Sequence, residues 1–398
     1  MTPAEFLHHL YTNVDGGHLT IFAITTDGDR LTLWTDLPDG IDAIADKAAD
    51  LDADVWFGVA TRCHQLDGGR RGGADDCVAI PALWLDIDIA GPGHKTDHPL
   101  PPGLGHDGQQ FYAVARDPLH PTRVASDLDR PRYRLQRIAF PFTAWLIHPS
   151  GGGPGLIAAV FAVGILAVLA GIVATGHLSL ALGGGPLPAI VFLMGPATWL
   201  VLRFSLADSY ALAAALAAMA LSIRERHRWA VAAAILAVLA KESLILLPLG
   251  LLVHYRDRAR LMLVAVPAAV AATWWAFLRL TVPDHSAGVI EFTFPFGGMW
   301  SAARTWEQGK FQIAMATVVF TIVLAMWVLV RVGMAHPLAP AMAIQLAFLT
   351  VLGHDVLALD ANGSRMTMPL LVLALVANAT RRTWKSALTD RPVPPLAP

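Results

Sequence analysis

The sequence predicts a mainly α-helical protein: a polytopic transmembrane bundle preceded by a small N-terminal α/β segment. Three observations carry this. From Pro154 to Thr380 the chain is a near-continuous series of Ala-, Leu- and Val-rich segments, several as long as the roughly 20 apolar residues that cross a bilayer. Mean hydropathy is +0.51, and only 15% of the 398 residues are charged. That balance is too apolar for an ordinary soluble protein. The first hundred residues instead carry short strand-like runs separated by turn residues.

The domain expectations are a 1–102 α/β fragment, a 103–153 external loop of catalytic type, a 154–380 transmembrane domain and a 381–398 cytoplasmic tail. A net charge of −2 offers no global basic field for nucleic acid. Cys63-His64 with Cys77 is too sparse for a zinc site, which normally takes four ligands. Met1–Asn13 has no basic flank leading into an apolar core, so no secretory signal is expected.

In the first segment, Leu19–Thr25 and Arg30–Thr35 read as strands around Gly28. Ile41, Ile44, Ala45 and Ala48 share helical spacing, so Ile41–Leu51 reads as a helix. Val55–Thr61 and Ala79–Ile89 read as further strands. Asp86 and Asp88, two apart on the last of these, point to one face. On an apolar strand that arrangement suits a divalent metal (Mg or Mn) with substrate phosphates. The alternative is a strand end whose acids face water.

Asp54–Arg62, the Gly-Arg stretch at Gly69–Gly73, Ala82–Asp88 and His94-Lys95 together resemble the primase–polymerase branch of the archaeo-eukaryotic primase superfamily. The resemblance implies that Asp86 and Asp88 are metal-binding acids for nucleotidyl transfer. It also implies a later His for the nucleotide phosphates and a further acid, and neither follows here. Positioning is most of that chemistry. The expectation is therefore a truncated fragment without polymerase activity, and nucleic acid is not an expected partner.

Thr96–Gly105 is a linker by composition. Beyond it lie Asp107-Gly108-Gln109-Gln110-Phe111-Tyr112, then Asp117-Pro118-Leu119, Leu128-Asp129-Arg130-Pro131 and Tyr133-Arg134-Leu135-Gln136-Arg137-Ile138. On composition this is a juxtamembrane loop with interfacial aromatics. The string resembles the first external loop of polytopic C-type glycosyltransferases, more narrowly the bacterial cell-surface glycopolymer and mannosyltransferase-like membrane proteins. The resemblance implies that Asp107 serves the reaction, as base or through a metal. Gln109, Tyr112, Arg134 and Arg137 are the candidate substrate contacts in that string. His106 stands where relatives carry an aromatic, and the relatives' first helix is missing.

Candidate spans are Pro154–Thr175, Leu187–Leu202, Ala207–Ile223, Trp229–Ala240 with Leu244–His254, Leu261–Leu280, Ile313–Val330, Leu338–Val351 and Met366–Thr380, or about eight to nine membrane segments. Three basic clusters, at Arg224–Arg228, Arg256–Arg260 and Arg381–Lys385, set the orientation if all are cytoplasmic. For the first two to share a side, Trp229–His254 must go out and back, turning at Lys241-Glu242-Ser243. The Asp107 loop and loops 281–311 and 352–365 then fall outside. Lys241 and Glu242 read either as an interfacial ion pair or as part of a phosphate site. Arg304, beside Trp300 and Trp306, suits a sugar or lipid phosphate; His354-Asp355 and Arg365 rank below it.

The function expected is transfer of a sugar from a polyprenyl-phosphate donor to a cell-envelope acceptor by a multi-pass plasma-membrane protein, with membrane lipid as partner. The alternatives are a nucleotidyltransferase fragment fused to a membrane anchor, and a non-catalytic membrane protein or transporter. A join of two truncated genes near residues 96–104 is also expected, with inactivity through truncation as one consequence.

Overall fold

The computed structural model describes residues 7–8, 11, 17–25, 30–37, 39–50, 53–57, 61–62, 77–79, 107–149, 152–203, 205–283, 292–305, 312–358 and 360–389. The protein is mainly helical, with a small sheet near the N-terminus. It divides into two compact units, 1–86 with 91–99, and 87–90 with 100–398.

In the first unit, β1 (His18–Thr25) pairs antiparallel with β2 (Arg30–Asp36), from His18 opposite Asp36 to Ile24 opposite Arg30. Helix α1 (Ile41–Ala49) follows. On the other side of β1 lie β3 (Ala53–Phe57) and, at His18, β4 (Thr61–Arg62), which pairs with β5 (Cys77–Ala79). Ile41, Ile44 and Ala45 bury against Leu19, Ile21 and Tyr11. The i, i+3, i+4 spacing is what gives α1 this apolar face. The strand expected over Ala79–Ile89, with Asp86 and Asp88, lies outside the described residues beyond Ala79.

The second unit opens with a difference from expectation. The segment expected to be an external loop is largely helical: α2 (Asp107–Arg116), α3 (Pro121–Val124), α4 (Pro131–Leu135) and α5 (Ala139–Ile147). Prolines start α3 and α4, where their fixed φ and missing N–H cost nothing. Phe111 and Ala115 on α2, and Phe140 and Ala144 on α5, recur at four-residue spacing. They bury against Leu156, Val160 and Val163 of α6 (Gly153–Ala181). Phe111 and Phe140 meet edge to face at 5.5 Å.

After α6 come α7 (Ile190–Met194) and α8 (Pro196–Arg203), a single expected span broken at Gly195-Pro196. Then follow α9 (Asp208–Ile223), α10 (His227–Ala240), α11 (Leu246–Tyr255), α12 (Arg258–Thr281), α13 (Gly297–Thr305), α14 (Gln312–Val332), α15 (Ala339–Thr350), α16 (His354–Ala358) and α17 (Asp360–Thr389). Among the described residues, α6 and α12 are long and apolar enough to cross a membrane. The other apolar helices are shorter.

Contacts sort the helix ends. Arg260 Nη2 donates to the Ser222 carbonyl at 3.0 Å, so the start of α12 meets the end of α9. The rings of His254 and Trp384 lie 6.1 Å apart, and the Thr383 hydroxyl donates to the Gly183 carbonyl. The three basic clusters therefore share one end of the bundle, and 227–255 goes out and returns. At the other end, Arg132 Nε donates to the Val282 carbonyl (2.8 Å) and Tyr112 Oη accepts from the Gly153 N–H (3.0 Å). Asp208 meets Lys241 and Arg365 there as well.

Small residues let the helices approach closely. Ala211, Ala215 and Ala218 of α9 are fully buried, and α9 packs on α6 and α10. At Gly250 a Cβ would run into the backbone of Ala341 on α15. Gly250→Ala is expected to cost about 1–3 kcal/mol by overpacking. Gly185, with nothing near its missing Cβ, should tolerate Ala within about 0.5 kcal/mol. Unfolding of the purified protein in detergent checks both.

The turn before α15 carries His336, fully buried. Its Nδ1 accepts from the Leu338 N–H (3.2 Å), so Nε2 carries the proton and donates to Thr380 Oγ1 (3.0 Å). Burial, and next the nearby His254, push its ring down to about 4. The unfolded ring titrates near 6.5, so between these values the unfolded chain holds the extra proton. Stability is then full above pH 6.5 and falls as pH drops toward 4, by up to about 3 kcal/mol. His336→Gln should flatten the fall in melting temperature over that window.

Candidate anion cavity

A cavity of ≈ 440 Å³ sits at the end of the bundle away from the basic clusters. Three parts of the chain build its polar wall: the α4 region, the break between α10 and α11, and the first turns of α17.

The α4 region is fixed by Asp129. Its carboxylate accepts from the Arg130 N–H (2.7 Å) and from Arg134 Nε and Nη2, both at 2.8 Å. Gln110 of α2 accepts from the Asp129 N–H, tying the two segments together. Tyr133 then serves as a plate: the Arg130 and Arg137 guanidiniums each lie 4.2 Å from its ring centre. Trp274 Nε1 donates to the Leu135 carbonyl (2.9 Å), which locks α4 onto α12.

The break begins where Lys241 turns to extended backbone after α10. Lys241 and Glu242 do not pair with each other. Glu242 accepts both ends of the Arg137 fork, at 3.2 and 2.8 Å. Lys241 Nζ donates to Asp208 Oδ1, while Arg365 Nε (3.0 Å) and Nη2 (2.8 Å) hold Asp208 Oδ2. One carboxylate thus joins α9, the break and α17. Asp208 sits at the first position of α9, where a negative charge meets the positive end of the helix dipole.

Five cations, Arg130, Arg134, Arg137, Lys241 and Arg365, border the cavity. Arg134 pairs with Asp129, Arg137 with Glu242, and Lys241 and Arg365 share Asp208. The rest of the lining is largely apolar and includes Trp275, Phe292, Phe348, Leu352, Val356 and Met366. A phosphate-sized anion carrying a hydrocarbon tail suits both kinds of lining.

The structure brings five expected residues, Arg134, Arg137, Lys241, Glu242 and the lower-ranked Arg365, to one cavity. Gln109, Tyr112 and Arg304 do not line it. The Tyr112 hydroxyl accepts from Gly153 at the start of α6, and Arg304 is exposed with its guanidinium 5.6 Å from the Trp300 ring centre. Asp107 is the first residue of α2. Asp208 escapes the sequence reading, although a single acid opening an Ala-rich apolar run is itself a signal. Among the described residues no group of three or more His, Cys, Asp and Glu could hold a metal. Among the described residues, the carboxylates at the cavity, Asp129, Asp208 and Glu242, are each paired with a cation.

Compared with known proteins, the chain matches no family model, no curated protein and no solved structure.

Proposed function

We propose that the chain is a multi-pass plasma-membrane glycosyltransferase, moving a sugar from a polyprenyl-phosphate donor to a cell-envelope acceptor. The observation that carries this is the mixed lining of the cavity, five cations together with aromatic and aliphatic side chains. The segments α6, α7 with α8, α9 to α12, α14, α15 and α17 would be the crossings. Collection of the basic clusters at the far end supports a cavity on the outer side.

The donor phosphodiester carries one charge, and the polyprenyl phosphate that leaves carries nearly two. A lining that carries four arginines and a lysine favours the more highly charged leaving group over the donor. That is the differential binding catalysis needs. The acceptor hydroxyl attacks the anomeric carbon, the bond to the phosphate oxygen breaks, and Asp107 takes the hydroxyl proton. The first unit has no part in this step.

The test is transfer of labelled sugar from polyprenyl-phosphate donors in proteoliposomes. Wild type should transfer, and Arg137→Ala should lose about 100-fold, the scale of one charge-stabilising donor. Equal rates for the two proteins would rule out the cavity as the donor site, and no transfer by the wild type from any donor would end the reading.

A further inference from the structure

On the apolar side of the cavity, residues 292–305 are built in an unusual way. Phe292 bridges Leu352 as an isolated antiparallel pair and meets the Phe348 ring edge to face at 6.2 Å. Thr293 and Phe296 donate their N–H groups to the carbonyls of Val351 (2.8 Å) and Thr350 (2.6 Å). Gly298 presses so close to the Leu352 carbonyl that a Cβ would collide with its oxygen. Phe296 is held at φ 65°, a left-handed conformation that a bulky residue rarely adopts.

The result is outward display of aromatic rings. Phe294, Phe296 and Trp300 are 75%, 62% and 70% exposed. Phe296, Trp300 and Arg304 recur every four residues, so they form one stripe along α13, aromatic first and cationic last. The opposite side of α13 buries Ala302 and packs on α16. Backbone strain that exposes a phenylalanine to water gains nothing. A bilayer interface accepts both the rings and the guanidinium, the rings among the upper acyl chains and the arginine at the phosphates.

We propose that residues 292–305 seat in the outer membrane interface and form the lipid-side mouth of the cavity. Phe292 borders the cavity, while Phe294, Phe296 and Trp300 continue the apolar surface outward. A lipid-borne anion would slide in sideways, its phosphate reaching the cations while its chain stays along these rings. The inference rests on the membrane reading and deepens it: the ligand reaches the site from the lipid phase, not from water.

Cys63→Ser, Cys77→Ser protein in phosphatidylcholine vesicles, bearing a fluorophore on one introduced cysteine, tests this. Phe294→Cys and Trp300→Cys probe the mouth, exposed Val173→Cys on α6 probes a span, and exposed Asp39→Cys reports water. Lipids brominated near the headgroup should quench 294 and 300 at least about twofold more than 39, as an interfacial seat requires. Quenching of 173 by lipid, with 294 and 300 quenched only by aqueous iodide, would overturn the mouth and leave the membrane reading standing. No lipid quenching at any position would overturn both. Phe294 is the more exposed site, so its variant keeps the test intact should Trp300→Cys misfold.

Discussion

Asp208→Ala is expected to destabilise the bundle by about 3–5 kcal/mol, the scale of stripping one partner from a buried ion pair. The carboxylate is nearly buried between Lys241 and Arg365, both of them buried as well. Removing it leaves Lys241 and Arg365 facing each other without the carboxylate that joins them. It also unties α9 from the break after α10 and from α17. Asp208→Asn keeps the shape and loses the charge, so it should recover only part of the loss. The measurement is thermal unfolding in detergent, with Lys241→Met added to Asp208→Ala. If the pair is coupled as the geometry indicates, the double variant is more stable than the sum of the single losses implies. A loss under about 1 kcal/mol for Asp208→Ala would mean that water reaches the triad freely.

Asp107→Ala is expected to lower sugar transfer by about 10²–10⁴-fold, the contribution of a positioned general base, while leaving the melting temperature nearly unchanged. Asp129, Glu242 and Asp208 are each spent on a cation at the cavity, and a carboxylate held this way is a poor proton acceptor. Asp107 opens α2, whose Phe111 and Ala115 are packed into the α5–α6 core. Transfer rates of wild type and variant from the same polyprenyl-phosphate donor decide the matter. Equal rates would remove Asp107 from the mechanism. A loss of donor affinity alone, with turnover kept, would make it a binding residue.

Much of the bundle was legible because long apolar runs bounded by Arg clusters have few ways to arrange themselves. The out-and-back course of 227–255 followed from two clusters needing one side, and Arg260 on Ser222 realises it. The helical character of 107–147 was hidden. Its polar and proline-rich composition looks like a loop, and only the four-residue recurrence of Phe111 with Ala115 and Phe140 with Ala144 betrays helices. The cavity was legible in part. Arg134, Arg137, Lys241 and Glu242 stood out as charges beside apolar runs, but their pairing did not. Adjacent Lys241 and Glu242 suggested each other, whereas each reaches a residue distant in sequence: Asp208 lies 33 positions away and Arg137 lies 105. Long-range partners of this kind are set by packing, which one sequence does not encode visibly.

The break at Lys241 has a consequence for the surrounding lipid. The arms His227–Ala240 and Glu242–Tyr255 each rise only about 21 Å. The hydrocarbon core is about 30 Å thick. As the crossings proposed above, these two arms would be too short for an average bilayer, so the leaflet would pinch inward or water would sink beside the ionic triad. Thin-tailed lipids would relieve that mismatch and thick ones aggravate it, so acyl-chain length becomes a control on how the polar wall is hydrated.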